Sequence, residues 1–330
     1  MSTFYYTSKD LINSIKSRIM FPISQSTFTE QDILNFATEE MNMAIIPLVL
    51  QSHEDYYLYS EDIPIIDGVF KYDIPYRAIG NKLREVCLVD SADNVKELTR
   101  IGVGDIGQYK NSYNTNYTNL KNFYIQNNQI CFIANSLSNI SGYVLRVFYY
   151  LRPNSLVLNE KVSNVISIDT NTPGLAIIKV DAIPDEFKVK NLDNSYKKFD
   201  FIKYTSPHKL LSYDVSVVDI DQVNSTITFN AVDVPEDLEM NDVIALATET
   251  DIPQIPSDMH VLLAQRTATR ILEAIGDTEG LQNANAKLAE LEQKANVLIN
   301  NRVDDAPKII NNRFSPLRQG LGRKRWRGRW

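Results

Sequence analysis

Several sets of residues in this sequence are of types that can do chemistry, and their spacing decides what they could do. A glycine run, G-V-G-D-I-G at Gly102, Gly104 and Gly107, has the spacing of a dinucleotide fingerprint. That fingerprint works when a strand precedes it, a helix follows it and an acidic residue lies about 20 positions on, so that backbone N–H groups meet a pyrophosphate. The segment that follows here, QYKNSYNTNYTN, is polar and turn-like, which points to a glycine-rich loop. His53, His208 and His260 lie in separate segments without the spacing of metal ligands, and each is expected to be a surface or structural residue. Ser, His and Asp are all present, but no G-x-S-x-G elbow anchors a hydrolytic triad. The adjacent carboxylates Glu39-Glu40 and Asp304-Asp305 would face apart on a helix and read as solvated surface. Cys87 and Cys131 sit in apolar, strand-like runs with no CxxC spacing, so buried free thiols are expected. No catalytic, cofactor or metal set assembles, and the sequence reads as a protein that is not an enzyme.

One set resists a bland reading. From Arg313 to the end there are seven basic residues (Arg313, Arg318, Arg323, Lys324, Arg325, Arg327 and Arg329) and no acidic one. Setting those seven aside leaves 27 Lys+Arg against 41 Asp+Glu, so residues 1–312 carry a formal charge of −14 within a chain of −7. Both tryptophans of the protein, Trp326 and Trp330, lie four apart among these arginines, with Phe314, Pro316 and Leu317 upstream. Arg and Trp are the residues enriched at binding hot spots, and an extended peptide that carries them can order on a partner. Arginines also pair with phosphates and tryptophans stack on bases, so nucleic acid is a second candidate partner. The acidic body argues against general DNA binding by the whole molecule.

These residues need a frame, and the hydropathy pattern supplies one. Ser8 is a candidate cap for a short helix with Leu11, Ile12, Ile15 and Ile19 on one face, ended by Phe21-Pro22. Thr29 and Asp32 make a T-x-x-D capping box, with Phe28 and Ile33 as a hydrophobic staple. Leu34, Ala37, Met41, Ala44 or Ile45, and Leu48 then recur at helical spacing, and Pro47 is expected to kink or end that helix. From about 56 to 250 the pattern becomes short β segments: 83–89, 123–126, 129–134, 143–151, 163–169, 175–180, 201–204, 215–220, 225–230 and 242–248. Asn127-Asn128 suits a two-residue hairpin turn, and 103–122 reads as a long polar loop. Helix returns at Ser257, with Val261, Ala264, Ala268, Ile271 and Ile275 on one face, Gly276 as its stop and Asp277 as the next cap. The last helix carries Leu281, Ala284, Leu288, Leu291, Ala295 and Leu298 in alternating steps of three and four, a seam for packing on another helix.

The expected fold is therefore α+β. Residues 1–55 and 251–302 form a helical bundle, 56–250 a large antiparallel β-rich insert of sandwich or barrel type, and 303–330 an extended basic C-terminal arm. The seam can pair within the chain or between subunits, and packing within the chain is favoured because fewer than three heptads is short. The start shows no basic region followed by an apolar run, and no stretch approaches a span of about 18–20 apolar residues, so a soluble chain made in the cytoplasm and without a membrane partner is expected.

The stretch 250–318 resembles the head-to-tail connector (adaptor) proteins of short-tailed bacteriophages. The pieces that carry the likeness are ETDIPQIPSDMHVLLAQRTATRILEAIGD, a polar second helix and NNRVDDAPKIINNRFSPLR, joined by FKYDIPYRAIGNKLREVCLVD at 70–90 and YVLRVFYYLRPNSLV at 143–157. They contain no active-site motif. The Asn-, Ile-, Tyr- and Lys-rich composition resembles that of AT-rich phages, crAss-like ones among them, where such subunits are called ring proteins. The resemblance implies a homo-oligomeric ring, usually of twelve copies, that joins the capsid portal protein to downstream tail or ring proteins at the head–tail junction of the virion. It also implies that genomic DNA passes through a central channel without sequence-specific binding, and that the arm docks on the portal or on a neighbouring subunit. In that reading Phe314, Pro316, Leu317, Trp326 and Trp330 are apolar anchors, the basic residues are their charged companions, and no cofactor is needed. Other readings are a DNA-binding virion or packaging protein that uses the Arg/Trp tail, a more distal tail ring, and a virion hydrolase.

Overall fold

The structure, a computed structural model, describes residues 6–19, 28–107, 122–133, 142–170, 172–192 and 194–299. The described residues belong to one compact unit that ends at Ile299. The fold is α+β, with helices from both ends of that unit gathered in one layer.

Local chemistry sets the helices. α1 (Ser8–Ile19) begins one residue earlier than the capping expectation, because Thr7 rather than Ser8 is the cap: Asp10 N donates to Thr7 Oγ1, and Thr7 N donates to Asp10 Oδ2. Ser8 Oγ instead donates to Asn159 Oδ1 at 2.7 Å, tying the helix start to a distant turn. Leu11, Ile12 and Ile15 are buried, as their spacing predicts. α2 (Glu30–Glu40) has the full Thr29–Asp32 capping box. Phe28 packs edge-to-face on Phe36 at 5.5 Å.

Pro47 neither ends nor breaks this helix. A π-helical turn, Met41–Ile45, precedes α3 (Ile46–Ser52) and places the proline in the first turn of α3, where a missing N–H costs least. The run Glu30–Ser52 is thus one helical rod, long and apolar enough by length and composition to cross a membrane, contrary to the sequence expectation. Its Ile33, Leu34, Ala37, Met41, Ile45, Ile46 and Val49 lie inside the helical core.

α4 (His260–Ile275) supplies Leu262, Leu263, Ala264, Ala268 and Ile271 to that core, while Val261 and Ile275, placed by spacing on the same face, are exposed. A short 3-10 turn, Ser257–Met259, rotates the helix start and moves the buried stripe. Gly276 (φ +82°) stops α4 in a left-handed cap, with Asp277 N donating to Leu272 O. Asp277 then accepts from Gly280 N and starts α5 (Thr278–Ile299).

The β region forms two bodies. In the first, β1 (Leu58–Pro64), β8 (Val144–Leu151), β3 (Ala78–Val89) and β4 (Val95–Glu97) make one antiparallel sheet in that order. A second sheet runs β2 (Lys71–Asp73), β7 (Gln129–Phe132), β6 (Asn122–Gln126) and β5 (Thr99–Arg100). Val86, Leu88, Leu145, Val147 and Tyr149 of the first meet Tyr72, Phe123, Ile130 and Phe132 of the second, which makes this body a sandwich. Asn127 (φ +50°) and Asn128 (φ +62°) make the β6–β7 turn that their types predicted.

A two-residue parallel pair, β9 (Ser155–Leu156) with β17 (Glu249–Thr250), brackets the second body. Its sheet order is β13 (Leu210–Val215), β12 (Phe199–Ile202), β16 (Val243–Leu246), β10 (Ser163–Asp169), β11 (Leu175–Val180), β15 (Thr226–Asn230) and β14 (Val217–Asp221). The first and last strands of that order are separated in sequence only by Ser216. One continuous stretch therefore pairs with β12 by its first half and with β15 by its second, and the sheet closes on itself. Phe199, Phe201, Ile178, Val180, Ile227, Phe229, Ile244 and Leu246 fill the closed interior at alternate positions. Strands β1, β2, β4, β5, β9 and β17 lie outside the expected segments, and β13 shares only Val215 with them. β1 carries Glu61 and Asp62 between its apolar positions, and β2 is only three residues long, so periodicity has little to register.

Candidate functional site: a buried polar junction beside an aromatic cleft

Arg77, in the turn just before β3, is 3% exposed and sits where the sandwich, the closed sheet and the β8–β9 link meet. Its guanidinium has five N–H groups, and all five are used. Nη1 donates to Asp200 Oδ2 (2.8 Å) and Asn154 Oδ1 (3.0 Å). Nη2 donates to Asp200 Oδ1 (2.9 Å) and Asp214 Oδ1 (3.0 Å), and Nε to Tyr76 Oη (3.1 Å). Asp200 projects from β12 toward Arg77 and also accepts from Asn154 Nδ2 (2.8 Å), Thr248 N (3.0 Å) and Asp214 N (3.0 Å). Asn154 N donates to Gln254 Oε1 (2.7 Å), and Tyr57 Oη donates to Gln254 O, which carries the junction to the segment leading into α4.

Burial opposes the charge of Arg77. The hydrogen bonds and charge of Asp200 outweigh that penalty, so its pKa lies above the ordinary value. Beside it, Tyr149 Oη and Tyr213 Oη are 2.8 Å apart, and Tyr213 Oη donates to Glu61 Oε2 (2.8 Å). Burial, then Tyr149 and Glu61, push the Tyr213 phenol far upward, so it stays a neutral donor. The arrangement is a saturated crosslink. No guanidinium donor is left for a ligand, so its chemistry is positional: it fixes the two β bodies against each other.

A cleft of about 410 Å³ adjoins this junction, lined among others by Tyr56, Tyr59, Pro153, His208, Lys209 and Asp237. Tyr56 Oη bridges it to Pro207 O at 3.0 Å. Burial raises the Tyr56 phenol well above its ordinary pKa.

The residues that the sequence singles out fall into three groups. The arm residues Arg313, Phe314, Pro316, Leu317, Arg318, Arg323, Lys324, Arg325, Trp326, Arg327, Arg329 and Trp330 lie outside the described residues. The seam packs within the chain: Ala284 and Ala295 are buried, Leu281, Leu288 and Leu291 are half-buried, and Leu288, Leu291 and Ala295 join the helical core. Its last member is corrected. Leu298 is 61% exposed and Ile299, at 4%, takes the core position. A straight helix turns once per 3.6 residues, so a face that starts on a 3.5 repeat drifts by about 20° per heptad and reaches the next residue. Lastly, the glycine run forms the 3-10 turn Val103–Asp105, and an added Cβ at Gly104 or Gly107 would meet nothing within 4 Å.

Cys87 and Cys131 are buried free thiols, and burial, then Glu85, push Cys87 up to about 12. Among the described residues no group of three or more His, Cys, Asp or Glu side chains could hold a metal ion. Sequence reasoning missed the junction itself, since Arg77 meets Asp200 and Asp214 across 123 and 137 positions. One signal was present: the stretches 70–90, 143–157 and the one opening at Glu249 each send a residue (Arg77, Asn154 and Gln254) into this one network. The sequence matches no protein-family profile and no curated protein.

Proposed function

We propose that this protein is a structural subunit of a ring that joins the portal of a tailed phage to its tail and surrounds the DNA channel, with 303–330 as a docking arm. The observation that carries the reading is the convergence of the three connector-like stretches on one buried, saturated crosslink. Such a junction makes those stretches a frame for a rigid body, as a ring subunit needs, and leaves no donor to engage a substrate. The acidic body supports the same reading, since a wall of like charge does not trap passing DNA. The arm's cations, tryptophans, Phe314 and Leu317 supply charged and apolar anchors for the portal or a neighbouring subunit.

Mass photometry of the purified chain, alone and mixed with a portal ring, tests this. Rings of about twelve subunits, or stoichiometric loading of the portal, are expected, and removing 313–330 should leave a folded protein that no longer loads. A monomer that ignores the portal would overturn the reading.

The arm's composition also favours a second reading, a DNA-binding virion or packaging protein. DNA affinity that falls steeply with salt and vanishes on removing 313–330 would support it, and salt-insensitive binding or none would exclude it.

A further inference from the structure

Two of the three histidines, far apart in sequence, come together with Tyr6 in a column of rings. Tyr6 and His260 stack at 4.5 Å with 20° between planes, and His208 follows His260 at 6.4 Å and 26°. The column joins three segments: the residues before α1, the first residue of α4, and the turn between β12 and β13. Both imidazoles are enclosed, His260 at 5% and His208 at 6% exposure. His260 hydrogen-bonds to the backbone at Pro253 and Ile255, and His208 to the backbone at Tyr204 and Lys203. Nε2 of His260 and Nδ1 of His208 have no hydrogen-bond partner among the described residues. His208 also holds a left-handed backbone (φ +54°), uncommon for a non-glycine residue.

We propose that the Tyr6–His260–His208 column is an acid-sensitive latch, whose protonation releases the N-terminal segment and the 203–209 turn from the start of α4 while the rest stays folded. A proton on either unpartnered nitrogen creates a buried cation beside a second imidazole, and at His260 it also places that cation at a helix N-terminus. The surrounding charges do little to offset this. Asp258, just before α4, favours a charged His260. Asp10 and Arg18 of α1 act on Tyr6 with opposite signs. Lys203 and Lys209 lie on the turn itself, where Lys203 pairs with Glu239 and Asp242 and Lys209 with Asp237.

Burial, then His208, lowers His260 to about 4, and burial lowers His208. The neutral forms are therefore favoured in the closed state. As pH falls from the ordinary histidine value of 6.5 toward 4, the opened segment binds more protons than the closed one, and closure weakens. The 203–209 turn also forms one wall of the aromatic cleft through Pro207 and His208, so release would widen that cleft.

Hydrogen exchange of the full chain between pH 7.5 and 4.5, corrected for intrinsic rates, tests the latch in wild type, His208→Asn, His260→Gln and the double variant. Asn tolerates the left-handed backbone, so His208→Asn removes the imidazole and keeps the turn. In wild type, amides of 6–12 and 203–209 should lose protection first, by up to about tenfold per pH unit for each histidine titrated. The double variant should show no such dependence. Equal pH profiles in wild type and double variant, or uniform loss across the whole body, would overturn the latch. Should a variant misfold, NMR of histidine-labelled wild type decides. Two of the three imidazoles titrating below 6.5 together with local opening supports the latch, and ordinary titration of both His208 and His260 sinks it.

Discussion

The helical layer and the polar junction are both well buried, yet they are held by different kinds of contact. In the helices the decisive bonds are local: Thr29 to Asp32, Gly276 and Asp277 to Leu272, Asp277 to Gly280. Each satisfies an end group that the helix itself leaves open. At the junction Arg77 reaches Asn154, Asp200 and Asp214 across 77, 123 and 137 positions. A local bond can fail without disturbing its neighbours, because water or fraying substitutes for it. A saturated buried cluster cannot lose one member without stranding the others. The helical layer should therefore yield in small independent steps and the junction all at once.

The sharpest way to break this contrast is Arg77→Met. It removes the cation from a buried carboxylate and leaves Asp200 without its charge partner. A loss of about 3–5 kcal/mol is expected in chemical denaturation. The sandwich and the closed sheet should then no longer unfold in one transition. A loss below about 1 kcal/mol, in the range of an exposed ion pair, would show that the crosslink is dispensable.

Ile299→Ala comes next. It empties a core position at the end of α5 and should cost about 2 kcal/mol. Its neighbour Leu298→Ala, on the exposed side, should stay within about 0.5 kcal/mol. Equal costs, or the reverse order, would restore the heptad register and point the seam outward. At the cap of α2, Thr29→Ala should cost about 1 kcal/mol and leave the junction untouched, because the box it breaks is confined to the first turn of that helix. A Thr29→Ala effect on β-sheet unfolding would erase the distinction between the two regions.

This division also explains what can be read from residues in order. The capping box at Thr29, the stop at Gly276, the cap at Asp277 and the Asn127-Asn128 turn are each decided within four or five residues, and all are legible. Strands β10 and β11 show their full extent in the sequence because apolar and polar positions mark out their ends. The cap of α1 lies one residue before the expected one. Ser8 is as good a cap as Thr7 in isolation, and only the distant Asn159 decides that its hydroxyl points elsewhere. The expected stripes of α4 and α5 hold in their middles and fail at their ends, where a 3-10 turn or the drift of a straight helix shifts the face.

The α+β class, the helices and most of their caps, the burial of Cys87 and Cys131, and the charge contrast between an acidic body and a basic end are all legible in the order of residues. Those properties follow from composition and from interactions a few residues long. It takes the packed chain to show that the strand around Ser216 closes its sheet, that Arg77 spends all five donors on the junction, and that His208 meets His260. The carboxylate partners of Arg77 and the ring partner of His208 lie tens to more than a hundred positions away, and the closure needs one stretch to pair on both sides at once. Local propensity carries no term for such pairs, and packing of the whole core selects them.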